Sequence, residues 1–217
     1  EPLHIQYAYD DHAVYILNSL REPFADLQAV ATILDARGKV YQKQEATVAV
    51  DADGVAKAFV LEIPEELPAT WFLKLTLHKG DRLISDNLYW LSTRPDLPGT
   101  TRYTAERVFL AEPESRADFT LLEALPAVTP PEATLSGQIE GDEYVAAVTL
   151  KNTAATIAFQ ACLVLTAGEE GPEVAPSFWS DNYISLMPGE EKELTVRCYT
   201  RDLKGATPAL RVSGWNW

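Results

Sequence analysis

Basic residues are scarce in this sequence, with Lys and Arg totalling 18 against 32 Asp and Glu for a net charge of −14. A field of that sign repels phosphate backbones and anionic lipid surfaces, so neither nucleic acid nor a membrane is an expected partner. Cysteine occurs only as Cys162 and Cys198, which fits neither a disulfide-stapled miniprotein nor a zinc site of paired Cys-x-x-Cys motifs. Isolated cysteines on apolar strands are most often small buried thiols, though a bond would form if two strands set them side by side. The three histidines, His4, His12 and His78, lack metal-ligand spacing and read as solvated surface residues, and neither a metal nor a cofactor is expected. No stretch approaches the roughly 18 consecutive apolar residues of a membrane span. The start, "EPLHIQYAYDD", lacks the zones of a signal peptide and begins without Met, so it reads as a mature product or a piece of a longer chain.

Catalytic signatures are missing as well. There is no G-x-S-x-G nucleophile turn and no glycine-rich phosphate loop. The glutamate clusters in "PEEL", "AGEEGPE" and "PGEEKE" read as solvated turns, and no two carboxylates are marked out as facing each other across a cleft. Asp51, Asp53 and Glu62 have a faint likeness to a calcium loop that fails at Gly54, which falls at position four where the sharp bend is needed at position six.

What is present is a packable composition, 47% hydrophobic and 23% charged over 217 residues, enough for one large domain or two smaller ones. In "TWFLKLTLH", Trp71, Leu73, Leu75 and Leu77 alternate with Lys74, Thr76 and His78, the period of a half-buried strand. Six further runs share this character: 4–9, 12–17, 27–34, 40–50, 54–63 and 82–91. Turns such as "DARGK", "DADG" and "HKGD" separate several of them, each with a glycine suited to the positive φ of a hairpin. Seven strands at this spacing predict an immunoglobulin-like sandwich over 1–97. Prolines then crowd 98–131, which reads as a linker, with "SRADFTLLEALP" as a short helical turn capped at Ser115 and ended by Pro126. A second series, at 132–140, 143–152, 157–167, 183–187, 191–200 and 209–216, predicts another sandwich over 132–217. Here Leu194, Val196 and Cys198 alternate with polar neighbours, pointing Cys198 toward a core. The fold class is therefore all-β, two immunoglobulin-like β-sandwich domains in tandem.

Ser-Asp-Asn beside aromatics occurs twice, in "RLISDNLYWLS" and "SFWSDNYISLMPGEEKELTVRCYT". Asp and Asn bond readily to nearby backbone, so both triplets are expected to shape an Asx-type turn or bulge. Trp90 and Trp179 read most simply as core or interdomain plugs, with a sugar-stacking platform as the sharper alternative.

These motifs also carry a family resemblance. "SDNLYWLS", "ADFTLLEALP", "FWSDNYISLMPGE" and the terminal "LRVSGWNW" resemble segments near the C-terminus of glycoside hydrolase family 2 enzymes, in the exo-β-glucosaminidase and β-mannosidase branch. The resemblance implies the last two immunoglobulin-like domains of a retaining exo-β-glycosidase, with the N-terminal domains and a catalytic (β/α)₈ barrel as partners. The family's catalytic acid lies in an Asn-Glu pair, a dipeptide this sequence does not contain, so no catalytic residue carries over. It also implies a secreted or periplasmic parent acting on polymer-derived substrates. Phe178, Trp179, Asp181, Trp215 and Trp217 are the candidate contacts to the missing domains or to an oligosaccharide. A free-standing carbohydrate-binding module and an adhesion module remain the alternative readings.

Overall fold

The computed structural model describes residues 1–106 and 108–217. Its backbone divides into two units, Glu1–Ala124 and Leu125–Trp217. The first contains β1 (Leu3–Ala8), β2 (Ala13–Asn18), β3 (Phe24–Leu34), β4 (Val40–Val50), β5 (Gly54–Val60), β6 (Thr70–Lys79) and β7 (Arg82–Ser92). They form a sheet of order β4-β3-β6-β7 and a second of order β1-β2-β5, all pairs antiparallel. Strand alternation decides which side chains lie between the sheets. Leu73, Leu75 and Leu77 of β6 are fully buried there with Ile5, Ile16, Leu27 and Ile33. By the same period Phe72 projects from the other face of β6, yet it too is fully buried, at the strand that α1 (Thr120–Glu123) packs against.

The proline-rich stretch is more ordered than its composition predicts. It forms a hairpin, β8 (Thr100–Tyr103) with β9 (Phe109–Glu112), and the single turn α1. Ser115 does not cap that turn. The preceding Asp118 does the local work, its Oδ1 accepting from the Thr120 backbone N–H at 3.1 Å and the Thr120 hydroxyl at 2.7 Å. A carboxylate two residues before a backbone donor closes an Asx turn, which competes effectively with a serine cap farther back.

The second unit holds β10 (Glu132–Glu140), β11 (Glu143–Lys151), β12 (Ala158–Ala167), β13 (Ser177–Trp179), β14 (Ile184–Leu186), β15 (Glu191–Tyr199), a 3₁₀ turn (Thr200–Leu203) and β16 (Pro208–Ser213). Its sheets run β10-β11-β15-β13 and β14-β12-β16. Val148, Leu150, Leu163, Leu165 and Val196 fill the space between them. Both units are thus four-plus-three-stranded sandwiches with immunoglobulin-like layering. Cys198 is buried in the second core and Cys162 is half-buried on β12; both thiols are free.

Candidate functional site

The two Ser-Asp-Asn triplets do not simply make turns. In the first, Ser85 Oγ accepts the Ile5 backbone N–H at 3.2 Å while the Asn87 amide donates to the Ile5 carbonyl at 2.7 Å. Ile5 lies on β1, the edge of the three-stranded sheet, so side chains of β7 satisfy backbone groups that no strand pairs. In the second, one carboxamide performs both roles. Asn182 Oδ1 accepts the Leu163 N–H at 2.8 Å and its Nδ2 donates to the Leu163 carbonyl at 2.9 Å, continuing the ladder on β12 beyond the last β14 pair, Ala161 with Ile184. A register shift lies beside each copy, between Leu77 and His78 opposite Ser85 and Leu83 at the first and between Ala158 and Ala161 opposite β14 at the second.

This use of asparagine is general in the chain. Buried Asn18 donates to the carbonyls of Glu22 and Asp51, and buried Asn152 to those of Thr156 and Leu186. Asn216 donates to the Pro126 and Ile157 carbonyls and accepts the Phe159 N–H, each at 3.0 Å. All five asparagines of the sequence therefore spend their amides on backbone. That is architecture, with no reactive geometry.

The candidate contact residues fall into two kinds. On β13 the strand period sends Phe178 and Trp179 to opposite faces. Phe178 is 42% exposed, with the Arg197 guanidinium 4.8 Å over its ring and Tyr199 edge-on at 6.4 Å. Trp179 packs against the core and its indole N–H donates to Ser177 Oγ. Atoms of both residues line a 260 Å³ cavity with Val145, Thr195, Val196 and Arg197. Asp181 is exposed and ion-paired with Lys192 at 2.9 Å. Trp215 is 59% exposed. Trp217 folds back so that a Cβ on Gly214 would lie 2.0 Å from its ring, and a larger residue at 214 would displace the indole. The structure brings residues Phe178 and Trp179 to one cavity.

A larger cavity lies in the first unit, where sequence reasoning placed only Trp90. It measures 760 Å³, within the usual range for small-molecule sites. The turn between β1 and β2, the C-terminal half of β7 and the segment 117–119 converge on it. Three tyrosines form its heart: Tyr7, Tyr9 and Tyr89 stand edge-to-face with centroids 5.3, 6.0 and 6.3 Å apart. The Tyr7 hydroxyl and His12 Nδ1 share a hydrogen bond of 2.6 Å, so His12, exposed as expected of a surface histidine, also belongs to this cluster. Burial, with Tyr9 and Asp11 nearby, pushes the Tyr7 phenol up to about 12. Trp90 is 38% exposed, not a core plug, while Trp71 is buried in the wall with an indole N–H that has no acceptor among the described residues. The rim is fixed by polar contacts: Arg94 Nε donates to the Arg116 carbonyl, and Asp96 Oδ1 accepts the Ala117 N–H at 2.8 Å. The signal available in sequence was Tyr7-x-Tyr9, two rings on one side of a strand whose end runs into a turn.

Among the described residues no group of three His, Cys, Asp or Glu side chains is placed to hold a metal ion. Comparison with known proteins identifies the architecture. Residues 108–217 match the exo-beta-D-glucosaminidase Ig-fold domain, and residues 10–93 match the mannosidase Ig/CBM-like domain. Over its whole length the chain is 35% identical to an exo-beta-D-glucosaminidase of Streptomyces avermitilis and 33% identical to one of Amycolatopsis orientalis. It spans 24% and 21% of those proteins. The crystal structure of the Amycolatopsis orientalis exo-chitosanase CsxA superimposes with a TM-score of 0.88 at 31% identity, covering all of this chain and 26% of that one. With half of its residues accounted for by the first of these models, the chain belongs to the family of the exo-beta-D-glucosaminidase Ig-fold domain.

Proposed function

We propose that this chain supplies two non-catalytic Ig-like units to a multidomain exo-β-D-glucosaminidase, whose hydrolytic residues lie on a barrel outside the segment described. The observation that carries this reading is the match of both units, in order and without a gap in coverage, to about a quarter of each bacterial exo-beta-D-glucosaminidase. All-β layering offers no alternating strand-helix pattern from which a barrel could be built. Exposed Phe178 and Trp215 are the docking anchors toward the rest of the parent, since large rings left in solvent commonly mark a partner surface. Trp179 and Trp217 support them from their own core. The parent works outside the cytoplasm, where polymeric glucosaminides are found.

Hydrolysis of a chromogenic β-D-glucosaminide tests the proposal. The product of the complete natural gene should release the aglycone and the purified 217-residue chain should not. Turnover by the chain alone, or a gene encoding no barrel, would overturn it. Fractionation of the source cells, with the parent found beyond the plasma membrane, checks the compartment.

A further inference from the structure

The tyrosine-lined cavity of the first unit has no part in the scaffold role above. We infer that it is a binding site for a β-linked glucosamine oligosaccharide; the choice of sugar rests on the exo-β-D-glucosaminidase reading. Three features point to this ligand. The walls pair apolar ring surface, from Tyr9, Tyr89 and Trp90, with polar edges, which matches a pyranose with its C–H faces and rim of hydroxyls. Tyr9 and Trp90 are 64% and 38% exposed, so ring area stays open inside an otherwise ordered cluster. Polar groups converge on the same space: His12, Arg94 and the Asp96 carboxylate.

Charge selects among sugars. Two-thirds of the chain's 50 ionised acids and bases, roughly, are acidic, and the net −14 draws in a cation and repels an acidic polysaccharide. A protonated 2-amino group gains from that field and from the ring faces, which attract cations, while in the cavity wall Asp96 offsets the charge of Arg94. A neutral mannose oligomer keeps the stacking and loses this part.

Calorimetric titration of the purified chain with glucosamine tetramer at low salt tests the site. Saturable binding is expected, weakened about tenfold by Trp90→Ala or Tyr9→Ala and several-fold by high salt, with Phe178→Ala unchanged. Thermal denaturation of each variant confirms that the fold is retained. No saturation, binding indifferent to both ring substitutions, or equal affinity for mannose oligomers would overturn the assignment, as would a structure of the parent with another domain filling the cavity. These outcomes are independent of the hydrolysis assay: a parent that cleaves glucosaminides while the chain ignores the tetramer removes this site and leaves the scaffold role standing.

Discussion

Replacing Asn216 by alanine should be the most damaging single-residue change near the C-terminus. The side chain is 7% exposed and makes three hydrogen bonds to backbone, two to carbonyls of Pro126 and Ile157 and one from the Phe159 N–H. Each such bond contributes only about 1 kcal/mol net, but abandoning a buried polar partner costs about 1–3 kcal/mol. Water entering the vacated space would relieve part of this, so the expected loss is roughly 3–5 kcal/mol. A unit running from Leu125 to Trp217 has a total stability of order 5–14 kcal/mol, at about 0.05–0.15 kcal/mol per residue. The substitution therefore removes about a fifth of it or more. Calorimetry should show the transition of the second unit lowered by roughly 12 °C or more. Hydrogen exchange should show the Phe159 amide losing protection first, since that donor loses its acceptor. Trp215→Ala, at an exposed neighbouring position, should move the same transition far less. A shift under about 4 °C for Asn216→Ala would show that the carboxamide is not what holds these strands together.

Three further outcomes follow from the geometry. Gly214→Ala places a methyl 2.0 Å from the Trp217 ring, so the indole must leave its seat; a red-shifted fluorescence spectrum and a loss of about 1–3 kcal/mol are expected, and an unchanged spectrum would contradict the packing. For Tyr7, burial raises the phenol from its ordinary 10 to about 12, so the folded state holds a proton that the unfolded state has released. The resulting stability is complete below pH 10 and is lost as pH rises toward 12, at most about 3 kcal/mol, and the late-rising tyrosinate absorbance should shrink by one phenol in Tyr7→Phe. Asn87→Ala removes one bond to the edge strand β1 and should cost about 1 kcal/mol in urea unfolding; a combined Ser85→Ala and Asn87→Ala variant should cost at least twice that, because Ile5 then loses both partners.

The strands of both sandwiches were legible because period-two alternation is a local property, and β4 and β10 have the limits their sequences imply. β13 was not, since three residues after a proline carry no period and are strand only by pairing with β15. The hairpin of β8 and β9 was hidden by the surrounding prolines, each compatible with a linker. At the candidate sites, sequence could name Phe178, Trp179, Trp215 and Trp217 as aromatic, but exposure separates Phe178 and Trp215 from the two that support the core. The tyrosine cavity stayed invisible because Tyr7 and Tyr89 are 82 positions apart and meet only when opposite sheets close.

The reliance on asparagine has a chemical consequence over time. Spontaneous deamidation turns a carboxamide nitrogen into an oxygen, and at each of these five positions the nitrogen is the donor that a backbone carbonyl uses. None of the five is followed by glycine, the neighbour that most speeds succinimide closure; the next residues are Ser19, Leu88, Thr153, Tyr183 and Trp217. Ageing of this protein should accordingly be slow to begin and, once begun, should register as unfolding, not as a silent shift in charge.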